Sequence, residues 1–520
     1  MNRQSDILTS AVAAYQIQDK VWHRILYALL ILAGISSALK SPGPLKALII
    51  GIEIIILPII FLFTPPRIQI KALLVMGFLG IDYPLFLASF FFAFLTAWKI
   101  WKNHNFYFPW PVLFLILIFM LAIFLFIINI PIYYSITGLI WWFMTFGSAI
   151  FAFFYLLQFR FTEDTVASVI AFFKTSLLIQ FPLIIIQAIA DGGYRPGDWC
   201  MGSFPHAHYL GNYAFLWILA VLFPWLIGKE KFKSVFTPKN TLLSGSLLFL
   251  IFLTDSKTVD ALILFCVLIF CAIAWIGYQK LNLKYLHKGK LILITLSGAF
   301  LFWIAQAGAS WYLQSILGAE EANVWEFVEA YILSDESSQK AQLYQRAYSE
   351  MRYDSPWQYW VGTGPGTFAS RASNTLAYDV LFKDGQKMPG FIPPTSSPYT
   401  RKYLSDLWTE EIFLSIGYRS AMLSFPFAGM VSLKAELGWV GLLFYLMFGF
   451  GIFWVLVSRS YSVPGDLKYW WLSLGLTWLI LLFLMLFDNY QEQTVTMFPL
   501  ISLTALFLGF TPTQHENSTN

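Results

Sequence analysis

PVLFLILIFMLAIFLFII, residues 111–128, contains no charged residue and no polar side chain. The hydrocarbon core of a bilayer takes about 20 apolar residues of helix to cross, so this stretch reads as a membrane span. Comparable runs lie at 25–39, 45–63, 72–97, 136–158, 165–189, 207–228, 240–254, 258–277, 290–308, 431–457, 468–487 and 494–510. Asp82 and Pro84 interrupt 72–97, which is therefore one long span or two short ones, and the crossings number 13 or 14. The whole chain agrees: its 520 residues are 58% hydrophobic and 12% charged, against about 45–50% and 25% in a soluble domain. That composition excludes a soluble enzyme, a disordered chain and a nucleic-acid binder. Aromatics at 19%, with 21 Trp and 26 Tyr, suit the belts that form at membrane surfaces. The predicted fold is an all-α polytopic membrane protein of 12–14 transmembrane helices with one large loop outside the membrane.

Lys and Arg in short loops set the orientation. The loop at 229–239 carries Lys229, Lys231, Lys233 and Lys239, and that at 278–290 carries Lys280, Lys284, Lys288 and Lys290. Both are expected inside. The hinge near Asp255 and residues 309–430 then face outside, and Arg459 and Lys468 return inside. Counting backwards puts the N-terminus inside only if 72–97 is split. The chain divides into an N-terminal segment 1–24, a transmembrane bundle 25–308, an outer loop domain 309–430, C-terminal helices 431–510 and a polar tail 511–520. Residues 1–24 lack a long apolar run and do not read as a cleavable signal peptide. Within the outer loop, 335–352 reads as an amphipathic helix after Ser334, and Pro389, Pro393, Pro394 and Pro398 mark an irregular stretch. Three scattered cysteines, with no CxxC or zinc spacing, argue against a disulfide framework.

Four places stand out against the apolar background. Residues 191–208 bring together Arg195, His206, His208 and several glycines between two spans; the plainer reading is a Gly/Pro turn with an interfacial Arg. Thr254-Asp-Ser-Lys257-Thr258, with Asp260, joins two spans almost without a loop. Charges so near hydrocarbon are functional candidates, or else a snorkelling Lys with an Asp partner. Val361-Gly362-Thr-Gly364-Pro-Gly366-Thr-Phe368 offers glycine amides that suit a phosphate-binding nest, or makes a plain turn. It lacks the Gly-Lys-Ser/Thr of a Walker A loop. Finally, the outer loop carries Arg346, Arg352, Arg371, Arg401 and Arg419, a residue type fitted to bidentate phosphate contacts. That loop holds more acids than bases, so salt-bridged or solvated Arg is the alternative. No Asp-x-Asp and no His–carboxylate cluster appears, so no metal ligand and no cofactor is assigned.

Taken in order, these pieces resemble the O-antigen ligase and polymerase superfamily of polytopic bacterial envelope proteins. Arg195 with Gly202-Ser-Phe-Pro-His206 resembles the family's Arg…Gly-Thr-Phe-x-x-Pro-Asn segment. Leu253-Thr-Asp-Ser256-Lys257-Thr resembles its Thr-x-Ser-Arg segment, with Lys257 in the Arg place. Pro356-Trp-Gln-Tyr-Trp-Val-Gly362-Thr-Gly364-Pro-Gly366-Thr-Phe368 resembles its Pro-x-x-Gly-x-Gly-x-Gly-x-Phe. Lys434-Ala-Glu436-Leu-Gly438-Trp-Val-Gly441 resembles the Glu-Leu-Gly-x-x-Gly opening the span after the loop. The resemblance covers roughly residues 160–460. One departure concerns the ligases' His, which stands eleven residues before the first Gly of Gly-x-x-Gly. That position here is Phe427, and residues 309–430 contain no His. This weakens lipid A ligation as the specific activity: either another residue does the work of that His, or the chain is a polymerase-like or divergent glycan transferase.

The resemblance implies a C-type glycosyltransferase-like bundle in the bacterial plasma membrane, with the large loop periplasmic. It implies a glycan donor linked by diphosphate to a polyprenyl lipid, chiefly undecaprenyl, and a glycan or lipid acceptor. On this reading Arg195 and Lys257 are catalytic and hold the diphosphate leaving group, which needs cations more than a proton. Gly362, Gly364, Gly366, His206, His208, Arg346, Arg352 and Arg419 are the expected substrate-binding residues, and no metal is needed. The alternative is a polytopic transporter of a polysaccharide or other anionic substrate, which predicts charges deep in the spans.

Overall fold

The computed structural model describes residues 19–36, 58–79, 82–103, 107–131, 136–193, 201–204, 207–226, 339–377, 396–408, 427–460, 467–486 and 488–511, with a few single positions besides. These residues are helical almost throughout, and the β-structure among them is one bridge between Phe161 and Phe510. The expected spans at 240–254, 258–277 and 290–308 fall almost wholly outside the described residues.

Pro66–Leu79 (α1) and Asp82–Asn103 (α2) are separate helices, so the 72–97 run is split. Pro84 sits in the first turn of α2, where a missing N–H costs nothing. Gln69, near the start of α1, accepts from the Tyr155 hydroxyl at 3.2 Å. Lys99, near the end of α2, lies 6.0 Å from the same ring. The start of one helix and the end of the other share a level, so the two run in opposite directions.

Val112–Asn129 (α3) is the helix of the opening motif. Ile136–Thr145 (α4) and Gly147–Leu156 (α5) meet at a 51° bend, and together are apolar enough for one span. Glu163–Leu178 (α6) runs almost straight into Gln180–Ala190 (α7), and Ala207–Leu226 (α8) follows. Thr162 caps α6 by accepting from the Thr165 amide, with Glu163 and Asp164 in the first turn, where the helix dipole favours acids. Within the 309–430 loop lie Pro356–Val361 (α9), Arg371–Leu376 (α10) and Pro398–Leu404 (α11). Gly429–Ser460 (α12), Leu467–Leu484 (α13) and Thr494–Leu508 (α14) close the chain. Among the described residues four helices are long and apolar enough to cross a membrane, or five with the bent pair.

The bundle pairs α12 with α13 and α3, α1 with α14, α2 with α5, and α8 with α13. Small residues permit the closest approaches: a Cβ on Gly449 of α12 would lie 2.8 Å from Leu482 of α13. The two ends are built differently. At one, Arg459 donates to the Leu508 carbonyl and the Tyr107 hydroxyl, Arg160 stacks over Tyr107 and Lys99 over Phe159. At the other lie Asn129, the start of α12 and the turn between α13 and α14, with Glu436, Asp488 and Glu492.

Loop residues 339–377 and 396–408 cap that second end with a small core of their own. Leu343, Ala347 and Met351 recur every four residues on the buried face of the 339–354 helix, which agrees with the amphipathic reading. They pack with Phe368, Tyr403, Leu404 and Trp408, and with Val431 and Ala435 of α12. The cap is thus built onto the first turns of a membrane helix.

Candidate functional site

The site grows from a break in α12. Gly438 takes φ +71° and ψ −175° inside an otherwise helical run. A helix interrupted there leaves the carbonyls of the preceding turn without their usual donors. The glycine loop supplies them: the Thr363 amide donates to the Ala435 carbonyl and the Gly364 amide to the Glu436 carbonyl, both at 2.9 Å. The Thr363 hydroxyl adds a second bond to the Ala435 carbonyl at 3.0 Å. Gly362, at φ +104°, is the other half of the joint. A Cβ there would lie 2.5 Å from the Glu436 carbonyl oxygen and 2.6 Å from the Gly438 nitrogen. Only two glycines allow these backbones to meet.

The Glu436 carboxylate then enters the loop. Its Oε2 accepts from the Gly366 amide at 2.8 Å. Its Oε1 accepts from the Phe368 amide at 2.9 Å and the Ser370 amide at 3.2 Å. The loop is indeed an anion-binding nest, but its anion is a side chain of the chain itself. The three glycines expected at the substrate have their amides engaged within the chain. The Gly362 amide is spent on the Gln358 carbonyl, that of Gly364 on the Glu436 carbonyl and that of Gly366 on the Glu436 carboxylate. None of the three is left for a phosphate.

Beneath the loop is a polar floor from the α13–α14 turn. Asn489, Gln491, Glu492 and Gln493 are each almost wholly buried. Asn489 Nδ2 donates to the Ala369 carbonyl at 2.8 Å, and Glu492 Oε2 accepts from the Arg371 amide at 2.6 Å. Gln493 donates to Asp488 at 2.9 Å and accepts from the Tyr209 hydroxyl at the head of α8. Burial, and then the charge of Glu436, push the Glu492 carboxyl up to about 8, so at neutral pH it holds a proton. Glu436, with three amides around it, is the member of the pair that carries the charge.

Lys434, two residues before Glu436, is buried without a carboxylate partner among the described residues. Its ammonium donates to the Ala347 carbonyl at 2.5 Å and lies 3.6 Å from the Tyr359 ring centroid, with Tyr348 and Trp439 behind. It ties the 339–354 helix, α9 and α12 together.

The first motif reaches the same end through its described part. Gly202, at φ +61°, turns the chain so that the Ser203 amide donates to Gln180 at 2.8 Å and the Met201 amide to Gln187 at 3.2 Å. Phe204 is buried against Phe78. Arg195 and His206 lie outside the described residues, as do the side chain of His208, Arg419 and the whole Lys257 segment.

Arg346, expected at the substrate, takes the salt-bridged form that was its alternative reading. Its guanidinium grips Asp406 at 2.5 and 2.6 Å and donates to the Tyr403 carbonyl at 2.7 Å. That bidentate bond holds the Asp406 carboxyl below its ordinary range. Arg352 is exposed, and Arg401 donates to Ser396 at 2.6 Å. Phe427, where the ligases place His, packs against Trp408. No group of three or more His, Cys, Asp and Glu arranged to hold a metal occurs among the described residues.

Glu436, Glu492 and Asn489 were the residues the sequence reading missed as parts of one site. Asp488-Asn-Tyr-Gln-Glu-Gln-Thr494 between two apolar runs was the available signal, since polar residues at membrane depth are costly. Gln180 and Gln187, both inside an apolar run, were a second. No family model, curated protein or solved structure matches this chain.

Proposed function

We propose that this protein is a membrane glycosyltransferase that moves or polymerises a glycan from a polyprenyl diphosphate carrier on the outer face of the bacterial plasma membrane. One observation carries the reading. The glycine loop and the Lys434–Gly441 segment, 70 residues apart between Gly366 and Glu436, form a single unit in which each answers the other's polar groups. Two motifs that resemble one family separately thereby gain a shared physical reason to occur in the same chain. The described part of the Gly202 motif stands at the same end of the bundle. The basic cluster of Lys99, Arg160 and Arg459 at the opposite end supports a cytoplasmic placement of that opposite end.

In the reaction an acceptor hydroxyl oxygen attacks the anomeric carbon of the donor sugar. The bond from that carbon to the diphosphate oxygen breaks, its electron pair leaves on the lipid diphosphate, and the hydroxyl proton passes to solvent or a base. Arg195 and Lys257 stabilise the departing diphosphate as fixed cations. The glycine loop acts as a rigid wall rather than a phosphate cradle, because its amides are engaged. The activated donor bond supplies the driving force, so neither nucleotide nor metal is required.

The test is transfer by the purified protein in nanodiscs, with a polyprenyl-diphosphate-linked oligosaccharide as donor. Release of lipid diphosphate coupled to a longer or transferred glycan is the expected result. Arg195→Ala or Lys257→Ala should lower transfer by about 10²–10³, the scale of losing one preorganised donor, with thermal stability unchanged. Movement of an intact anionic substrate across vesicles, without cleavage, would reject transfer and establish the transporter reading.

A further inference from the structure

The segment that leads into the glycine loop carries three large exposed aromatics. Tyr353, Trp357 and Trp360 are 77%, 58% and 59% exposed; Trp357 and Trp360, three apart in α9, share a helix side, and Tyr353 lies at the end of the helix just before the Ser355 break. Soluble surfaces seldom leave three such rings together in water. The Trp360 ring is 6.4 Å from that of Trp439, which follows the Gly438 break. From there Val440, Leu443, Met447, Phe450 and Trp454 form a continuous exposed apolar row down α12. That row is the lipid-facing side of a helix long and apolar enough to span.

Depth follows from helix geometry. At 1.5 Å per residue, Trp439 to Arg459 covers about 30 Å, the thickness of a hydrocarbon core. Arg459 belongs to the basic cluster at the far end. The Gly438 break therefore falls at the opposite hydrocarbon boundary. Tyr353, Trp357 and Trp360 fall just beyond it, in the headgroup layer where Trp and Tyr concentrate.

We infer that residues 353–360 are a membrane-surface foot whose partner is the headgroup layer of the outer leaflet. The foot holds the glycine loop at the depth of lipid phosphates, and it does so whatever reaction the protein performs. Continuity with the lipid-facing row of α12 selects the bilayer as occupant over a second copy of the chain or a soluble partner.

The test uses the full chain in lipid nanodiscs, with Cys200, Cys266 and Cys271 replaced by serine or alanine. Nitroxide labels are placed singly at Trp357→Cys, Trp360→Cys, Met447→Cys and Lys402→Cys. Collision with molecular oxygen and with a water-soluble nickel chelate reports depth. Labels at 357 and 360 should give oxygen-to-nickel ratios several-fold above that at 402 and below that at 447. Ratios at both positions equal to that at 402 would place the segment in water and overturn the inference. Dipolar broadening between copies labelled at 357 would assign the surface to a second chain and overturn it equally. Because a label changes the ring it replaces, quenching of native tryptophan by headgroup-labelled lipid is compared with that of Trp357→Phe/Trp360→Phe. Unchanged quenching in the double variant would also reject the foot.

Discussion

Replacing Glu436 by Gln keeps the shape of the side chain and removes its charge and one acceptor. In the protein, one oxygen serves the Phe368 and Ser370 amides and the other serves Gly366. A glutamine keeps its oxygen for the first two and turns an NH₂ against the Gly366 N–H. One buried amide is then unsatisfied, at about 1–3 kcal/mol, and two charge-assisted bonds fall to roughly half their strength. Relief of repulsion with Glu492 works in the opposite direction. It is small at neutral pH, because Glu492 already holds a proton. The net loss is about 2–4 kcal/mol, which corresponds to a roughly 30- to 10³-fold rise in local opening. Hydrogen exchange of the peptide covering 362–371 reads this directly, with peptides from α3 and α13 as controls. Faster exchange confined to the loop is expected. Unchanged loop exchange in Glu436→Gln would refute the view that this carboxylate holds the loop in place.

Gly362→Ala and Gly438→Ala should each lower thermal stability more than Gly364→Ala. All three have positive φ, but only the first two add a backbone collision, whereas the nearest atom at Gly364 is 3.7 Å from a new Cβ; equal losses by calorimetry would contradict this ranking. The Glu492 carboxyl titrates near 8 when folded against an ordinary 4.5, so the native state binds the extra proton between those values. Stability should fall as pH rises through that window and level off above it, and Glu492→Gln should flatten the slope; an unaltered slope in melting temperature would refute the assignment. Cysteine at position 402 should react with an impermeant reagent on intact cells and cysteine at 284 should not. The reverse pattern would invert the topology.

Four or five of the spans were legible because an apolar run of this length has little else to become. The split at 72–97 was legible as a choice, since Asp82 and Pro84 announce a break but not whether the chain reverses there. The reversal depends on Gln69 and Lys99 meeting the same tyrosine. The glycine loop was legible as a place where amides converge, but spacing does not reveal which anion they meet, and here Glu436 lies among them. Glu436 was in view as part of a motif. Nothing local marks it as the filler, because the contact spans 70 residues. Arg346 followed the plainer of its two readings once Asp406 proved to lie opposite it.

The joint between Gly362 and Gly438 also orders the birth of the molecule. A ribosome delivers the glycine loop well before it delivers the helix break that receives it, and the Asp488–Gln493 floor comes later still. Until α12 is made, the Gly366, Phe368 and Ser370 amides lack Glu436, and until the α13–α14 turn follows, the Arg371 amide lacks Glu492. The cap is therefore completed in two steps, first by α12 and then by the turn between α13 and α14. A chain cut short before residue 488 would keep the Glu436 contacts but lack the Asn489 bond to the Ala369 carbonyl and the Glu492 bond to the Arg371 amide, so its loop would be set from one side and left without its floor.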